Sequence, residues 1–246
     1  MRKLKLGMIG GGEGSFIGAI HRNAALLDNC YELTAGSFSS DYENSKLTGE
    51  KLFLDPSRIY KNYEEMLEKE SNISENQRID VVSIVTPNHL HFDPAIKSLE
   101  KSLPVIIDKP MTFDTEQAKI LHDTVVKTKI PFAVTHTYTG YPMVKQARSL
   151  VLDGKIGKVR KVAVEYPQGW LSTMLEKDNN KQASWRTDPS KSGKAGSMGD
   201  IGTHAANMVE YVTGKKIKRL LSKVNVFVEG RLLEDCLLYT SPSPRD

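Results

Sequence analysis

Short apolar segments alternate with helix-like segments along the first 137 residues, and this alternation restricts the fold more than any other feature. The strand-like segments are Leu4–Ile9, Tyr31–Phe38, Asp80–Val85, Pro104–Asp108 and Pro131–Thr137. Helix-like segments separate them at 17–27, 41–52, 63–69, 89–101 and 115–127. Strands joined by crossover helices form a parallel sheet with helices on both faces. The pattern therefore predicts one doubly wound α/β domain over residues 1–137.

The sequence changes character after residue 137. Two helix-like segments, 141–152 and 200–213, enclose an alternating strand-like segment, 158–166, and a long polar loop, 167–198; a further strand-like segment lies at 218–229. Loops of that length in compact domains are commonly functional. We predict a second, α+β domain over 138–235 with a largely open, mixed sheet, incomplete here because so few strands leave an apolar face uncovered.

The last residues and the composition restrict the protein further. Residues 236–246, CLLYTSPSPRD, break the pattern abruptly and are predicted to be a non-native tail. No apolar run approaches the roughly 18 residues of a membrane helix, and the N-terminus lacks a secretory signal. The net charge of +4 is mild, and the two cysteines lie far apart. We expect a cytoplasmic protein with no metal site and no membrane or nucleic-acid partner.

A glycine-rich stretch, GMIGGGEGSFIGAIHR at residues 7–22, follows the first predicted strand and leads into the first predicted helix. Such a turn places backbone N–H groups at the positive end of a helix dipole, where a pyrophosphate binds well. The spacing departs from the dinucleotide fingerprint G-x-G-x-x-G, because five residues separate Gly12 from Gly18. From these residues alone, a dinucleotide-binding turn and an ordinary strand-to-helix turn both remain open.

Three further motifs follow in order: VSIVTPNHLHFDPA, VIIDKPMT and GSMGDIGTHAANM. Together with the glycine stretch, they resemble the Gfo/Idh/MocA family of NAD(P)-dependent sugar and polyol dehydrogenases, over residues 4–230. The resemblance implies a Rossmann-type first domain that binds NAD or NADP, and a second domain for substrate binding and dimerisation. It also identifies the glycine stretch as a phosphate turn lengthened by about three residues, in which Gly18 allows the helix to pack closely on the strand.

The resemblance implies a set of cofactor-binding residues at the strand ends of the first domain. They are Gly10, Gly12, Gly14, Ser15, Phe16, Ile17, Ser39, Thr86, Pro87, Asn88, His91, Asp108 and Lys109. Ser39 takes the place of an acidic ribose ligand, and a hydroxyl there leaves both NAD and NADP open. Structural alternatives exist: Ser39 and Ser40 could cap the next helix, Pro87 and Asn88 could form an ordinary turn, and His91 could be structural.

Lys109, Asp200 and His204 are the catalytic residues that the resemblance implies. The sequence Asp108-Lys109-Pro110 matches the family's Glu-Lys-Pro motif with Asp in place of Glu, and the lysine would orient the substrate and favour a developing alkoxide. Asp200 and His204 are four positions apart, so a helix places them on one face. His204 would accept the alcohol proton, and Asp200 would bind substrate and tune that base. Otherwise Lys109 is a solvated residue, Asp200 a helix cap, and His204 a core or surface residue.

Aromatic and polar side chains of the second domain suit the face and hydroxyls of a sugar. The predicted substrate-binding residues are Lys109, Tyr138, Gln168, Trp170, Trp185, Arg186, Asp200 and His204. The two tryptophans could equally belong to the core.

The sequence thus predicts an enzyme that transfers hydride between NAD or NADP and a hydroxyl-bearing carbon of a sugar, inositol or related polyol. Two alternatives remain: a glycoside-cleaving enzyme of the same family, and a non-enzymatic, cofactor-binding regulator. The resemblance also implies a homo-oligomer, a dimer or tetramer. The uncovered sheet face leads us to expect a fragment of a longer protein, whose activity on its own stays open.

Overall fold

A computed structural model describes residues 2–178 and 180–240, with side chains described up to residue 235, and the chain divides into two compact units after Thr135. The strands are β1 (Leu4–Gly10), β2 (Tyr31–Ser37), β3 (Val81–Val85), β4 (Val105–Asp108), β5 (Phe132–Thr135), β6 (Leu221–Asn225) and β7 (Cys236–Thr240). The helices are α1 (Ile17–Leu27), α2 (Tyr42–Lys51), α3 (Tyr63–Ser71), α4 (Phe92–Glu100), α5 (Thr115–Thr128), α6 (Pro142–Leu152), α7 (Lys181–Arg186), α8 (Pro189–Ser192) and α9 (Thr203–Thr213). None of the helices described is long and apolar enough to cross a membrane.

The first unit is a five-stranded parallel sheet in the order β2-β1-β3-β4-β5. All five residues of β3 are buried, so both faces of the sheet centre are covered. A single parallel bridge joins Ile59 to Gly36 on β2, and the Tyr60 N–H donates to Gly36 O at 2.9 Å. The predicted α/β class and doubly wound parallel sheet are confirmed.

Side-chain caps explain where several helices of this unit begin. Asp41, Asn62 and Asp114 each accept a backbone N–H from the first turn of α2, α3 and α5. These short polar side chains satisfy donors that have no partner inside the helix. Beneath the helices, the apolar side chains of the sheet form a core that includes Val82, Ile84 and Ile107.

A buried carboxylate joins α3 to the sheet. The Glu70 side chain is 0% exposed, and its two oxygens accept from Arg58 Nε at 3.0 Å, Arg58 Nη2 at 2.5 Å, Tyr60 Oη at 2.8 Å and Ile79 N at 3.1 Å. Burial, followed by the hydrogen bond to Glu70, raises the pKa of the Tyr60 hydroxyl. A buried charge is tolerated only when it is paired and hydrogen-bonded, and this one meets both conditions.

The second unit contains α6 and α9, which contact each other. The Arg148 guanidinium donates to Tyr211 O and lies 4.8 Å from the centre of the Tyr211 ring. The buried Arg231 side chain is 2% exposed and pairs with Glu176 at 3.0 Å and Asp235 at 3.2 Å. It also donates to Leu171 O and Thr173 O, so it fixes the segment that begins the long predicted loop.

The structure corrects three sequence-based predictions in this unit. The segment 158–166 is not a strand, because alternation alone supplies no hydrogen-bonding neighbour and none of the described strands pairs with it. The described strands form an antiparallel pair, β6 with β7, rather than a larger mixed sheet. The predicted loop 167–198 contains α7 and α8, which begin at the side-chain caps Asn180 and Asp188.

The predicted non-native tail lies partly outside the described residues. Cys236–Thr240 form β7, where no strand was predicted, whereas 241–246 are outside the described part of the chain. That residues 236–246 are a non-native tail stays a prediction.

Candidate functional site

The glycine turn after β1 leaves no room for a side chain at Gly12 or Gly18. Gly10 adopts φ +84°, a left-handed conformation that favours glycine. A Cβ added to Gly18 would lie 2.3 Å from Gly11 Cα, and one added to Gly12 would lie 2.8 Å from Phe38 O. Gly18 therefore lets α1 pack closely against the turn that follows β1.

The same turn has the donors that an anion requires. The Ser15 hydroxyl is buried with no hydrogen-bond partner, and α1 begins without a side-chain cap. Gly12, Gly14 and Ser15 line a depression of about 220 Å³, together with Arg22 of α1. An unpartnered hydroxyl next to uncapped helix N–H groups fits the phosphates of a dinucleotide.

Sequence reasoning did not identify Arg22. Its Nη1 atom donates to Gly11 O at 2.8 Å and so stabilises the turn. Burial lowers the pKa of its guanidinium. Two other predicted residues of the turn differ in exposure. The Phe16 side chain is 63% exposed, whereas Ile17 packs against the small core cluster that contains Met8. For Ile17, any contact with a cofactor would have to be made by the backbone.

At the end of β2, the structure places Ser39 in a local turn. Its Oγ atom accepts from Asp41 N at 3.2 Å, and Asp41 in turn caps α2 by accepting from Glu43 N at 3.1 Å. The helix cap is thus Asp41 rather than Ser39 or Ser40. Ser39 keeps a half-buried position, and its contact with a ribose stays a prediction.

The segment after β3 holds Thr86, Pro87 and Asn88, all half-buried. His91 is 1% exposed, with Nδ1 at 2.7 Å from Pro110 O and Nε2 at 2.8 Å from Thr86 O. Burial lowers the pKa of this imidazole. Its side chain is therefore not placed to contact a cofactor directly, because both nitrogens face backbone carbonyls; instead it ties the Thr86 segment to the Asp108–Pro110 segment.

Asp108 ends β4 next to Lys109. Its Oδ1 atom accepts from Thr135 Oγ1 at 2.8 Å and lies 3.6 Å from Nε2 of His21 on α1. Burial alone would raise the pKa of the Asp108 carboxyl, but the nearby His21 imidazole and the hydrogen bond from Thr135 outweigh burial, so the pKa is lowered. Lys109 itself is half-buried and takes part in an interaction of its own.

In the second unit, Asp200 and His204 lie on successive turns. Asp200 belongs to a π-helical turn, Met198–Gly202, and His204 to the first turn of α9. Gly202 is the N-cap residue of α9, so Asp200 is not its cap. Single π-helical turns occur frequently at functional sites.

An aromatic group surrounds His204, which is 8% exposed. The Tyr138 ring lies 4.6 Å from the imidazole in an edge-to-face arrangement, and the His136 ring lies at 5.9 Å. The hydroxyls of Tyr138 and Tyr166 are 2.5 Å apart, and this hydrogen bond, followed by burial, raises the pKa of Tyr138 to about 12. Sequence analysis placed Tyr138 here but missed His136 and the specific role of Tyr166.

The remaining predicted substrate residues extend this group. Gln168 donates to Tyr166 Oη at 3.4 Å and accepts from Trp170 Nε1 at 3.2 Å. The Arg186 guanidinium lies 4.2 Å from the Trp185 ring centre and 5.6 Å from that of Trp170.

Arg186 also reaches the predicted catalytic pair, Asp200 and His204, since its Nε lies 3.8 Å from Asp200 Oδ2. Seven predicted residues therefore form one continuous cluster in the second unit: Tyr138, Gln168, Trp170, Trp185, Arg186, Asp200 and His204. Lys109 belongs to the other unit, and its approach to this cluster stays a prediction.

Comparison with known proteins gives two family matches. A family described as oxidoreductases with an NAD-binding Rossmann fold, GFO/IDH/MocA, matches residues 4–136. The C-terminal domain of the same family matches residues 144–240.

Individual relatives agree with these matches. An uncharacterized oxidoreductase of Bacillus subtilis is 35% identical over 95% of the chain and 60% of its own length. Levoglucosan dehydrogenase of Pseudarthrobacter phenanthrenivorans is 30% identical over 87% of the chain and 52% of its own length. An inositol dehydrogenase homologue of Azotobacter vinelandii, crystallised with NAD+, superposes with a TM-score of 0.92 at 34% identity, covering 97% of this chain and 61% of the other. The same homologue was crystallised with NADH and myo-inositol. The chain therefore spans about 60% or less of the length of these relatives.

Proposed function

The chain belongs to the Gfo/Idh/MocA family of oxidoreductases with an NAD-binding Rossmann fold, and from this membership we propose that the protein is an NAD(P)-dependent dehydrogenase. Its substrate is a sugar, inositol or related polyol, which it oxidises at a hydroxyl-bearing carbon or forms in the reverse direction. The nicotinamide cofactor supplies the hydride chemistry when bound. The similarity to levoglucosan dehydrogenase and to an inositol dehydrogenase homologue crystallised with myo-inositol supports this substrate class.

The observation that carries the proposal is the cluster around His204. An imidazole held between aromatic rings, with the Asp200 carboxylate one turn away, is a suitable acceptor for the proton of a substrate hydroxyl. Tyr166, Gln168 and the tryptophans offer hydroxyl, amide and aromatic groups suited to a polyhydroxylated ring. In the first unit, the glycine turn and the Ser15 hydroxyl would hold the phosphates of the cofactor, and the Lys109 ammonium would favour the developing alkoxide.

We extend the proposal to a cytoplasmic homo-oligomer. Exposed apolar residues on and beside β6, with Leu221 at 70% and Phe227 at 74%, support assembly through this part of the second unit. The presence of only two cysteines is compatible with a reducing compartment.

Steady-state kinetics test the proposal. The protein is supplied with NAD+ or NADP+ and a panel containing myo-inositol, levoglucosan and simple sugars, and formation of the reduced cofactor is followed. We expect His204→Ala to lower kcat by about 10²-fold or more with cofactor affinity nearly unchanged. Lys109→Ala should also lower kcat, and the double variant should lose less than the product of the two effects. His122→Ala, at an exposed histidine of α5, is the matched control.

The same experiment separates the alternatives. Substrate cleavage without net formation of reduced cofactor would indicate the glycoside-cleaving enzyme. Tight cofactor binding without turnover of any polyol would indicate a regulator, and a folded His204→Ala protein with normal turnover would refute the role of His204.

A further inference from the structure

A chain of polar side chains passes from α1 through the sheet to the end of β5. His21 Nδ1 lies 3.1 Å from Ser83 Oγ on β3, and His21 Nε2 lies 3.6 Å from Asp108 Oδ1 at the end of β4. The same Asp108 oxygen accepts from Thr135 Oγ1 at 2.8 Å. The side chains of His21 and Asp108 are only 10% and 18% exposed. The Asp108 carboxylate at the end of β4 thus has partners on β5 and α1, and His21 extends the chain to Ser83 on β3.

A carboxylate in such a position requires partners, because removing a charge from water is costly unless donors compensate it. Thr135 supplies one short hydrogen bond. His21 supplies the other attraction, at a distance somewhat longer than a direct hydrogen bond. At low local dielectric, an imidazole N–H directed at a carboxylate stabilises it more strongly than it would in water.

The surroundings of His21 suit this role in either protonation state. When the ring is neutral, the Ser83 hydroxyl can donate to Nδ1 and leave the Nε2–H directed at Asp108. When the ring is charged, the same hydroxyl can accept from Nδ1–H instead. Ser83 therefore allows His21 to present a donor to Asp108 without an unsatisfied ring nitrogen.

The segment that Asp108 begins is also held on its other side. His91 approaches Pro110 O with its Nδ1 atom at 2.7 Å. Lys109 therefore lies between two residues that are each held by a histidine: Asp108 by the partly buried His21, and Pro110 by the buried His91.

We propose that His21 is a positioning residue for Lys109, acting through the Asp108 carboxylate. The inference rests on the proposed function, in which Lys109 contacts the substrate hydroxyl. His21 fixes the carboxylate, the carboxylate fixes the start of the Asp108–Pro110 segment, and Lys109 is thereby held in the orientation that turnover requires. Neither the glycine motif nor the catalytic motifs assign any role to His21.

Two readouts test the inference on the whole chain. The first is an NMR titration of the Asp108 carboxyl, assigned with Asp108→Asn. His21→Ala should raise the Asp108 pKa from its lowered value toward the ordinary one, whereas His122→Ala should leave it unchanged. The second is kinetics: His21→Ala should lower kcat by about 10- to 100-fold, the scale of effects from a slightly misplaced catalytic group, with NADH affinity within about twofold of the parent.

A conservative variant separates positioning from mere packing. In His21→Gln, the amide N–H can take the place of Nε2–H, so kcat and the Asp108 titration should recover most of the loss. If His21→Ala does not fold, His21→Gln and Ser83→Ala carry the test, and Ser83→Ala should show a smaller shift in the same direction.

Failure of this inference differs from failure of the proposed function. A folded His21→Ala protein with an unchanged Asp108 titration and parental kcat would overturn the positioning role. A parent protein that binds NADH but oxidises no polyol would count against the proposed function, and the titration, which needs no turnover, would still decide whether His21 holds Asp108.

Discussion

Replacing Glu70 by Gln should destabilise the first unit far more than a surface substitution does. The amide keeps one oxygen, which can still accept from Arg58 Nε and Tyr60 Oη. The new NH2 group then faces two donors, Arg58 Nη2 and Ile79 N, and the guanidinium, whose side chain is 16% exposed, loses its counter-charge. Breaking a buried ion pair by removing one partner costs about 3–5 kcal/mol, and we expect a loss in that range.

Urea unfolding followed by far-UV circular dichroism measures the loss. With an m-value of about 2 kcal/mol/M, the midpoint of the first unit's transition should fall by about 1.5–2.5 M. Glu68→Gln is the matched control, because Glu68 lies on the same helix but is 65% exposed and pairs with Lys101 and Asn72 at the surface. It should change stability by about 1 kcal/mol or less. Equal midpoints for the two variants would show that the Glu70 network does not stabilise the fold.

Three further outcomes are expected. Gly18→Ala should destabilise the first unit by about 1–3 kcal/mol and weaken NADH binding, because the added Cβ would meet Gly11 Cα at 2.3 Å. Gly140→Ala is the control, because a Cβ added there has nothing within 4 Å, and it should change neither property. Thermal melts and NADH fluorescence titrations measure both variants. Because the pKa of Asp108 is lowered in the folded protein, its ionisation stabilises the fold above the ordinary carboxyl pKa. This stabilisation is lost as the pH falls through the folded-state pKa of Asp108. Urea unfolding measured across acid pH should therefore show a weaker pH dependence in Asp108→Asn than in the parent protein. Ser39→Asp should weaken NADP binding selectively by about tenfold, since a carboxylate repels the 2′-phosphate, and an unchanged NADP to NAD ratio would place the ribose elsewhere.

Local signals were sufficient to predict the first unit. From β2 onward, each strand of the parallel sheet is a short apolar segment between two helical segments, and the glycine turn marks the point where β1 passes into α1. The second unit was harder to predict because 158–166 has a strand-like pattern without a pairing neighbour, and a strand depends on hydrogen bonds that the segment itself cannot supply. Asn180 and Asp188 cap α7 and α8 in the structure, but these helices are too short for hydrophobic periodicity to reveal them in the sequence.

The candidate site followed a similar division. Asp200 and His204 were predicted from a motif that resembles one of a known family. The other members of the cluster were predicted because aromatic and polar side chains suit a sugar. His21 was not, since its role depends on Ser83 and Asp108, which only the folded sheet brings near it. The sequence analysis assigned His91 to cofactor binding. Only the structure shows that both of its ring nitrogens face backbone carbonyls.

The single bridge from Ile59 to Gly36 has a consequence for solubility. The outer edge of β2 would otherwise expose a row of backbone donors and acceptors on which a strand from another molecule could pair. Ile59 and Tyr60 pair with Gly36 on that edge, and the chain then turns away into α3 instead of continuing as a strand. A neighbouring copy therefore meets an interrupted edge, so the segment protects the sheet against intermolecular growth, and substitutions that displace Ile59 should be detected first as aggregation.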